Sequence, residues 1–295
     1  MTDPASRPWR LYLLLLLVML IWSLNFIATK VVLKEVPGPL LAGIRIPLAA
    51  MFLLPVYFWS HRTHGKTWTN ADALRMGLLG LVGIAANQVL FILGMGRTTV
   101  THAGLIIGMV PLIVLTLTAI LGHESLSLQK IGGIVLALGG LGILQARAGT
   151  VAGPTFWGDL MSFGSAFAFS CYVVFGKAMV VKHGPFIPTT FAFFAGALAL
   201  FPTTLYFGWN FDFSKVSLAA WCGILYMALA SSVIASILYY HVLGKLSASR
   251  VSSFSYLQPL MASTLGITLL GEHVSTALIG GGVLILSGVF LTERG

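Results

Sequence analysis

The sequence predicts an all-α membrane protein of ten transmembrane helices arranged as two inverted five-helix repeats. Three observations carry that prediction. Of the 295 residues, 57% are hydrophobic and only 8% charged, apolar runs of membrane-crossing length succeed one another along the chain, and a single offset lays the second half over the first. An ordinary soluble domain has roughly 25% charged residues. Here 8 acidic and 17 Lys or Arg residues, with a mean hydropathy of +0.94, are too few to coat a globule in water. The surrounding solvent is therefore lipid.

Crossing a hydrocarbon core of about 30 Å takes on the order of 20 apolar helical residues, and the chain divides wherever polar clusters interrupt such runs. The first five spans are Leu11 to Leu33, Leu40 to Trp59, Ala73 to Gly94, Thr99 to Leu121 and Leu128 to Gln145. The second five are Trp157 to Val180, Phe186 to Gly208, Val216 to His241, Ser247 to Leu270 and Val274 to Thr292. Arg7 and Arg10 precede the first run, but it is too long for a secretory signal and no Ala-x-Ala site follows, so it is expected to stay as a helix. The longest connections, Ser60 to Asp72 and Ala146 to Phe156, are too short to hold a soluble catalytic module.

The net charge of +9 is scattered singly between apolar runs, which argues against nucleic acid and marks topology instead. With the N-terminus inside, Arg62, Lys66, Arg75, Lys130, Lys182, Lys245, Arg250 and Arg294 join Arg7 and Arg10 on the inner side. Lys34, Arg97, Arg147 and Lys215 fall outside. The positive-inside bias then places both termini in the cytoplasm; the membrane expected is the bacterial cytoplasmic one. Cys171 and Cys222 sit in apolar stretches as buried thiols, so neither a disulfide framework nor a metal site is expected. No cofactor motif is present.

The offset is 148 residues. It pairs Lys34 with Lys182, Pro37 with Pro185, Gly96 with Gly244, Pro111 with Pro259, Glu124 with Glu272, Ser127 with Ser275, and Gly132, Gly133 and Gly140 with Gly280, Gly281 and Gly288. Residues 1–147 and 148–295 are thus read as two copies of one unit. Five spans per copy is an odd number, so the second copy enters the membrane from the opposite side. Such inverted repeats provide a route to alternating access around a midplane site.

The pattern Trp22, Ser23, Leu24, Asn25 with Lys30, then Arg45, Ala103, Pro111, Leu121, Glu124, Gly132 and Gly140, resembles the EamA repeat of the drug/metabolite transporter superfamily. Ala248, Pro259, Leu269, Glu272, Gly280 and Gly288 repeat it. The resemblance spans nearly the whole chain. It implies a ten-helix secondary transporter of small metabolites, amino acids among them in some members, with export across the cytoplasmic membrane favoured. An exporter of amphipathic drugs, an intramembrane enzyme and a channel are the alternatives, but motifs for the last two are missing. The copies differ chemically, since Ser170, Val173 and Ala178 stand where the first copy has Trp22, Asn25 and Lys30.

Candidate substrate contacts follow from polar and aromatic residues at depth, where unsatisfied polar groups are costly. In the first span these are Trp22, Asn25 and Lys30. Asn87, Gln88 and Phe91 stand in the third span, and Tyr172 in the sixth. Ser236 and Tyr239 stand in the eighth and Tyr256 and Gln258 in the ninth, with Ser231 and Ser232 as further small polar groups. Lys30 and Arg45 lie toward the outer ends of their helices, where both can snorkel. Facing inward, they would favour a carboxylate or phosphate. Beside Pro47, Arg45 reads instead as a structural donor to the carbonyl that the proline frees.

Pro111 and Pro259 are candidate bending elements. Glu124 and Glu272 read as helix N-terminal charges or gate latches. Gly80, Gly83 and Gly94 read as a close-packing stripe, Lys177 as a snorkelling residue, and Trp59, Trp157, Trp209 and Trp221 as interfacial anchors. With no Asp or Glu in the middle third of any span, transport is expected to run by facilitated diffusion or by a proton-linked step without a buried carboxylate. The expected partners are a small-molecule substrate and lipid, in a monomer or homodimer.

Overall fold

The computed structural model describes residues 8–64, 68–97, 106–123, 127–145, 156–258, 260–261 and 276–294. Among these there is no strand. The helices are α1 (Pro8–Val32), α2 (Gly38–His64), α3 (Asn70–Met95), α4 (Val110–Ile120), α5 (Leu128–Gln145), α6 (Phe156–His183), α7 (Phe186–Gly208), α8 (Leu218–Leu243), α9 (Ala248–Ser253) and α10 (Thr276–Arg294). Six of them, α1, α2, α3, α6, α7 and α8, are long and apolar enough to cross a membrane. Val110–Ile120, Leu128–Gly140 and Ile279–Thr292 are shorter apolar helices.

Helix boundaries follow local chemistry. Thr69 caps α3 with a reciprocal capping box to Asp72, and Ser217 caps α8 by accepting from the Ala220 N–H. These side chains satisfy amide groups that the first helical turn leaves without partners. Gly184, at φ +76°, reverses the chain between α6 and α7, a backbone geometry that costs glycine nothing. Pro111 occupies the first turn of α4, just after the turn at Gly108 and Met109. The fourth segment is thus interrupted immediately before the proline, at a position where its missing N–H is no loss.

The outer surface is apolar. Leu198 is 75% exposed, and Trp59, Trp157 and Trp209 are exposed near helix ends. Such a surface is stable only against lipid, and the protein is a multi-pass membrane protein. Cys222 lies exposed on this face and Cys171 is half-buried, so the sequence expectation of two buried thiols is corrected. The apolar run is read alike whether a helix face meets protein or lipid.

Five helices begin 148 residues before five others: Pro8 and Phe156, Gly38 and Phe186, Asn70 and Leu218, Leu128 and Thr276, and, within the third and eighth helices, Asn87 and Ala235. α3 and α8 each contain a π-helical stretch, Leu81–Ala86 and Met227–Ile234. The element contacts are exchanged in the same way: α1 packs on α8 while α6 packs on α3. Each pair is also tied by a side-chain hydrogen bond, though at positions the offset does not relate, Tyr226 on α8 donating to the Ile21 carbonyl and Asn87 on α3 to the Ser165 carbonyl. α5 and α10 run antiparallel. A Cβ placed on Gly133 would lie 2.6 Å from the Gly288 carbonyl oxygen, and one on Gly140 2.6 Å from that of Gly281.

Candidate functional site

A cavity of about 140 Å³ lies between the chain halves. From the first half it is lined by α1, by the π-helical turn and following residues of α3, by Arg45 of α2 and by Ile107 and Val110. From the second half come α6, Phe193 of α7, the π-helical turn of α8, and Ser255 and Gln258. Many wall positions are themselves related by the 148-residue offset. Gly83 and Ser231, Ile84 and Ser232, Gln88 and Ser236, Arg45 and Phe193, Ile107 and Ser255, and Val110 and Gln258 all face the same space.

The π-helical turns explain how small polar groups reach this wall. A π-turn widens the helix and shifts its downstream faces relative to an α-helix. In α8 it puts Ser231 and Ser232 together on the cavity side, the Ser232 hydroxyl donating to the Met227 carbonyl at 2.9 Å. In α3 it contains Gly83, which has no side chain to separate it from the Tyr172 ring.

The chemistry centres on Arg45. Its Nε donates to Ser232 Oγ at 3.0 Å, Nη2 to Ser231 Oγ at 3.2 Å and Nη1 to Gln88 Oε1 at 3.3 Å. The residue is 3% exposed and stands seven positions past the start of α2, about 10 Å along the helix. Among the described residues it is the only charged side chain on the wall, and no Asp or Glu lines the cavity. The donor role expected beside Pro47 belongs to another residue. The Gly43 carbonyl, which Pro47 deprives of its helical donor, accepts from Thr204 Oγ1 on α7 at 2.7 Å.

Of the residues anticipated from sequence, Trp22, Asn25, Asn87, Gln88, Phe91, Tyr172, Ser236 and Gln258 line the cavity. Trp22 donates its indole N–H to the Ser231 carbonyl at 3.1 Å and stands edge-on to Phe169 at 5.7 Å. Asn25 Oδ1 and Ser255 Oγ are buried without a hydrogen-bond partner among the described residues. Among the described residues Gln258 Nε2 reaches the Met19 sulfur, at 3.5 Å.

Tyr239 and Tyr256 are not among the wall residues. Both are buried, Tyr239 with its ring 5.2 Å from that of Trp22. The side chain of Lys30, together with Pro259, Glu124 and Glu272, lies outside the described residues. Lys177 does not simply snorkel, because its Nζ donates to the Leu246 carbonyl at 2.8 Å. The glycine stripe packs between the halves: a Cβ on Gly94 would lie 2.7 Å from Ser162 Oγ, and Gly80 abuts the Ala192 backbone.

Ser165, Phe169, Phe193 and Ser255 also line the wall without having been sequence candidates, while Arg45, which the sequence leaves open between an inward-facing cation and a structural donor, lines it as well. For Arg45 the signal was present, since an ionisable residue within an apolar run is a functional-site candidate in its own right.

Two polar ties join the chain halves at helix ends. Asp72, 3% exposed at the N-terminus of α3, takes Lys182 Nζ at 2.7 Å and lies 3.3 Å from His183 Nε2, both at the end of α6. Elsewhere, Glu35 after α1 accepts from the Ser217 N–H at 2.7 Å and from its hydroxyl at 2.8 Å. Donation by the Ser217 backbone, then by its hydroxyl, holds the Glu35 carboxyl below its ordinary value.

A partly open cavity lined by polar and aromatic groups inside an apolar helical bundle, made jointly by both chain halves, is the architecture of a membrane carrier. The chain belongs to the EamA-like transporter family, which matches residues 9–145 and again 156–294. Its relatives are transporters rather than enzymes. An uncharacterized transporter of Archaeoglobus fulgidus is 29% identical over 289 residues, covering 95% of this chain and 96% of that one. A probable amino-acid metabolite efflux pump of Salmonella typhimurium is 25% identical, covering 96% and 94%. The uncharacterized inner membrane transporter YedA of Escherichia coli is 24% identical, covering 92% and 87%. A solved crystal structure superposes over 98% of both chains with a TM-score of 0.79 at 19% identity, a likeness of fold alone.

Proposed function

We propose that the protein is a secondary transporter of the bacterial cytoplasmic membrane, moving small organic solutes such as amino-acid metabolites outward by alternating access. In this reading ten spans form two inverted units, residues 1–147 and 148–295, and both termini are cytoplasmic. The observation that carries it is the cavity wall, where pairs of residues 148 positions apart line the same space.

The contacts between α5 and α10 support the inversion. Gly133 meets Gly288 and Gly140 meets Gly281, so equivalent residues exchange places, as a two-fold axis in the membrane plane requires. Under alternating access the halves swap conformations and the cavity opens to the opposite side while the bound solute stays in place. Trp22, Asn25, Asn87, Gln88, Phe91, Tyr172, Ser236 and Gln258 form the solute contacts, with Arg45, Ser231 and Ser232 added. The break before Pro111 is a flexing point.

The test is counterflow in proteoliposomes. Labelled solute should enter faster when unlabelled solute is trapped inside, while a channel gives no trans-stimulation and an enzyme returns an altered product. Reporter fusions in the Ser60 to Asp72 connection test the topology: a signal from the far side of the membrane refutes cytoplasmic termini.

A further inference from the structure

We propose that the cavity takes a small organic acid as its monoanion, with the carboxylate against Arg45 and the apolar body toward Phe193, and that it selects against neutral and zwitterionic analogues. This inference rests on the cavity being the solute site and adds the chemical class of the solute.

The argument begins with a charge that lacks a counterion. A guanidinium has five N–H donors and remains protonated. The three hydrogen bonds of Arg45 go to two serines and a glutamine, all neutral, leaving two donors open among the described residues. A buried cation satisfied only by neutral dipoles is costly, and an anion hydrogen-bonded to it relieves that cost in a way no neutral group matches. The open donors suit a carboxylate, with the Ser231 and Ser232 hydroxyls beside them. A phosphate monoester, carrying about −1.5 to −2 at neutral pH, would exceed the single positive charge.

The opposite end of the solute is set by broken symmetry. The residue 148 positions after Arg45 is Phe193, and both line the cavity. The first-half position is cationic and its second-half equivalent aromatic, so the wall is chemically uneven and an amphiphilic molecule has one favoured direction. Trp22, Phe26, Phe91 and Phe169 supply further ring surface. The volume, about 140 Å³, is close to the ~150 Å³ of an engineered apolar cavity that accepts benzene. With no Asp or Glu on the described wall, the ammonium of a zwitterion would be desolvated without a carboxylate partner. Asn25 Oδ1, buried without a partner, offers a neutral acceptor suited to a hydroxyl on the solute.

The experiment measures ligand-induced thermal stabilisation of the purified protein in nanodiscs. The probes are acetate, isovalerate, benzoate and phenylacetate, the neutral amide of each, then benzylamine, phenylalanine and phenyl phosphate. The expected result is that at least one carboxylate binds about tenfold or more tightly than its amide, the size of one charge-assisted hydrogen bond. Phenylalanine should bind more weakly than phenylacetate. Arg45→Gln should erase the preference for carboxylate over amide and Arg45→Lys should keep part of it. Where Arg45→Gln fails to fold, the wild-type ranking decides.

Equal binding of acid and amide, tighter binding of phenylalanine or phenyl phosphate, or no carboxylate binding at all overturns the proposal. Counterflow separates its failure from that of the carrier reading. Exchange of a neutral solute with no acid preference leaves a carrier without anion selectivity. Arg45-dependent benzoate binding with no exchange of any probe leaves an anion site without a carrier.

Discussion

Thr204→Val tests how the bundle tolerates a proline inside α2. Pro47 has no N–H, so the Gly43 carbonyl four residues earlier loses its helical donor. Thr204 Oγ1 on α7 replaces it at 2.7 Å, while also lying 3.2 Å from its own-helix Leu200 carbonyl. Valine preserves the shape and deletes the hydroxyl. Hydrogen bonds between membrane helices average about 0.6 kcal/mol with a maximum near 1.7. This carbonyl has no donor in its own helix to fall back on, so the cost belongs in the upper half, about 1 to 1.7 kcal/mol. Pro47→Ala restores the intrahelical N–H, and in that background Thr204→Val should cost no more than about 0.5 kcal/mol. The assay is SDS-driven unfolding in mixed micelles for the wild type, both single variants and the double variant. Equal penalties for Thr204→Val in both backgrounds would refute the compensation.

Three further outcomes follow from the contacts. Gly140→Leu should destabilise by about 1 to 3 kcal/mol through overpacking against α10, while Gly139→Ala, with open space at its Cβ, should be neutral or stabilising; melting temperatures of the two variants check this. Asp72→Ala removes a buried capping-box partner as well as an ion pair, so it should cost about 1 to 2 kcal/mol, against less than about 1 for Lys182→Met, whose side chain is 53% exposed; the same unfolding assay ranks them. For Glu35, the lowered carboxyl pKa means that its tie to Ser217 contributes fully above the ordinary value near 4.5 and is lost as pH falls through the lower, folded-state value. The stability difference between wild type and Glu35→Gln should therefore shrink on acidification, and a difference that grows would contradict the assignment.

What was legible in the sequence was periodic or categorical. Long apolar runs located the six long helices, because a lipid-facing helix needs no alternation to be recognised. The 148-residue register paired Gly140 with Gly288 and Gly133 with Gly281, residues that meet crosswise between α5 and α10. Polar groups at depth identified much of the wall, including Asn87, Gln88 and Gln258, because buried amides must find partners. The π-helical turns were not legible. Neither Leu81–Ala86 nor Met227–Ile234, whose two serines helices accept, departs from ordinary membrane-helix composition, and the extra residue per turn is selected by what packs outside. That local change decides that Ser231 and Ser232 face Arg45 together, so the electrostatics of the wall could not be assembled from helical spacing alone.

The reading of Arg45 as a donor to the proline-freed carbonyl has the same origin. Counted from the sequence, it sits near a span end beside a proline that needs a donor, and a structural role accounts for both facts. Only the position of α7 reveals that Thr204 already supplies that donor, which leaves the guanidinium for the cavity. A charge whose structural duty is performed elsewhere, held 3% exposed among neutral partners, is retained at an energetic cost that packing does not require. Its symmetry mate Phe193 occupies an equivalent place with an apolar side chain, so the fold itself does not demand a cation there. Under the proposal of an anionic solute, the difference between these two positions sets which end of that solute lies toward α2 and which toward α7.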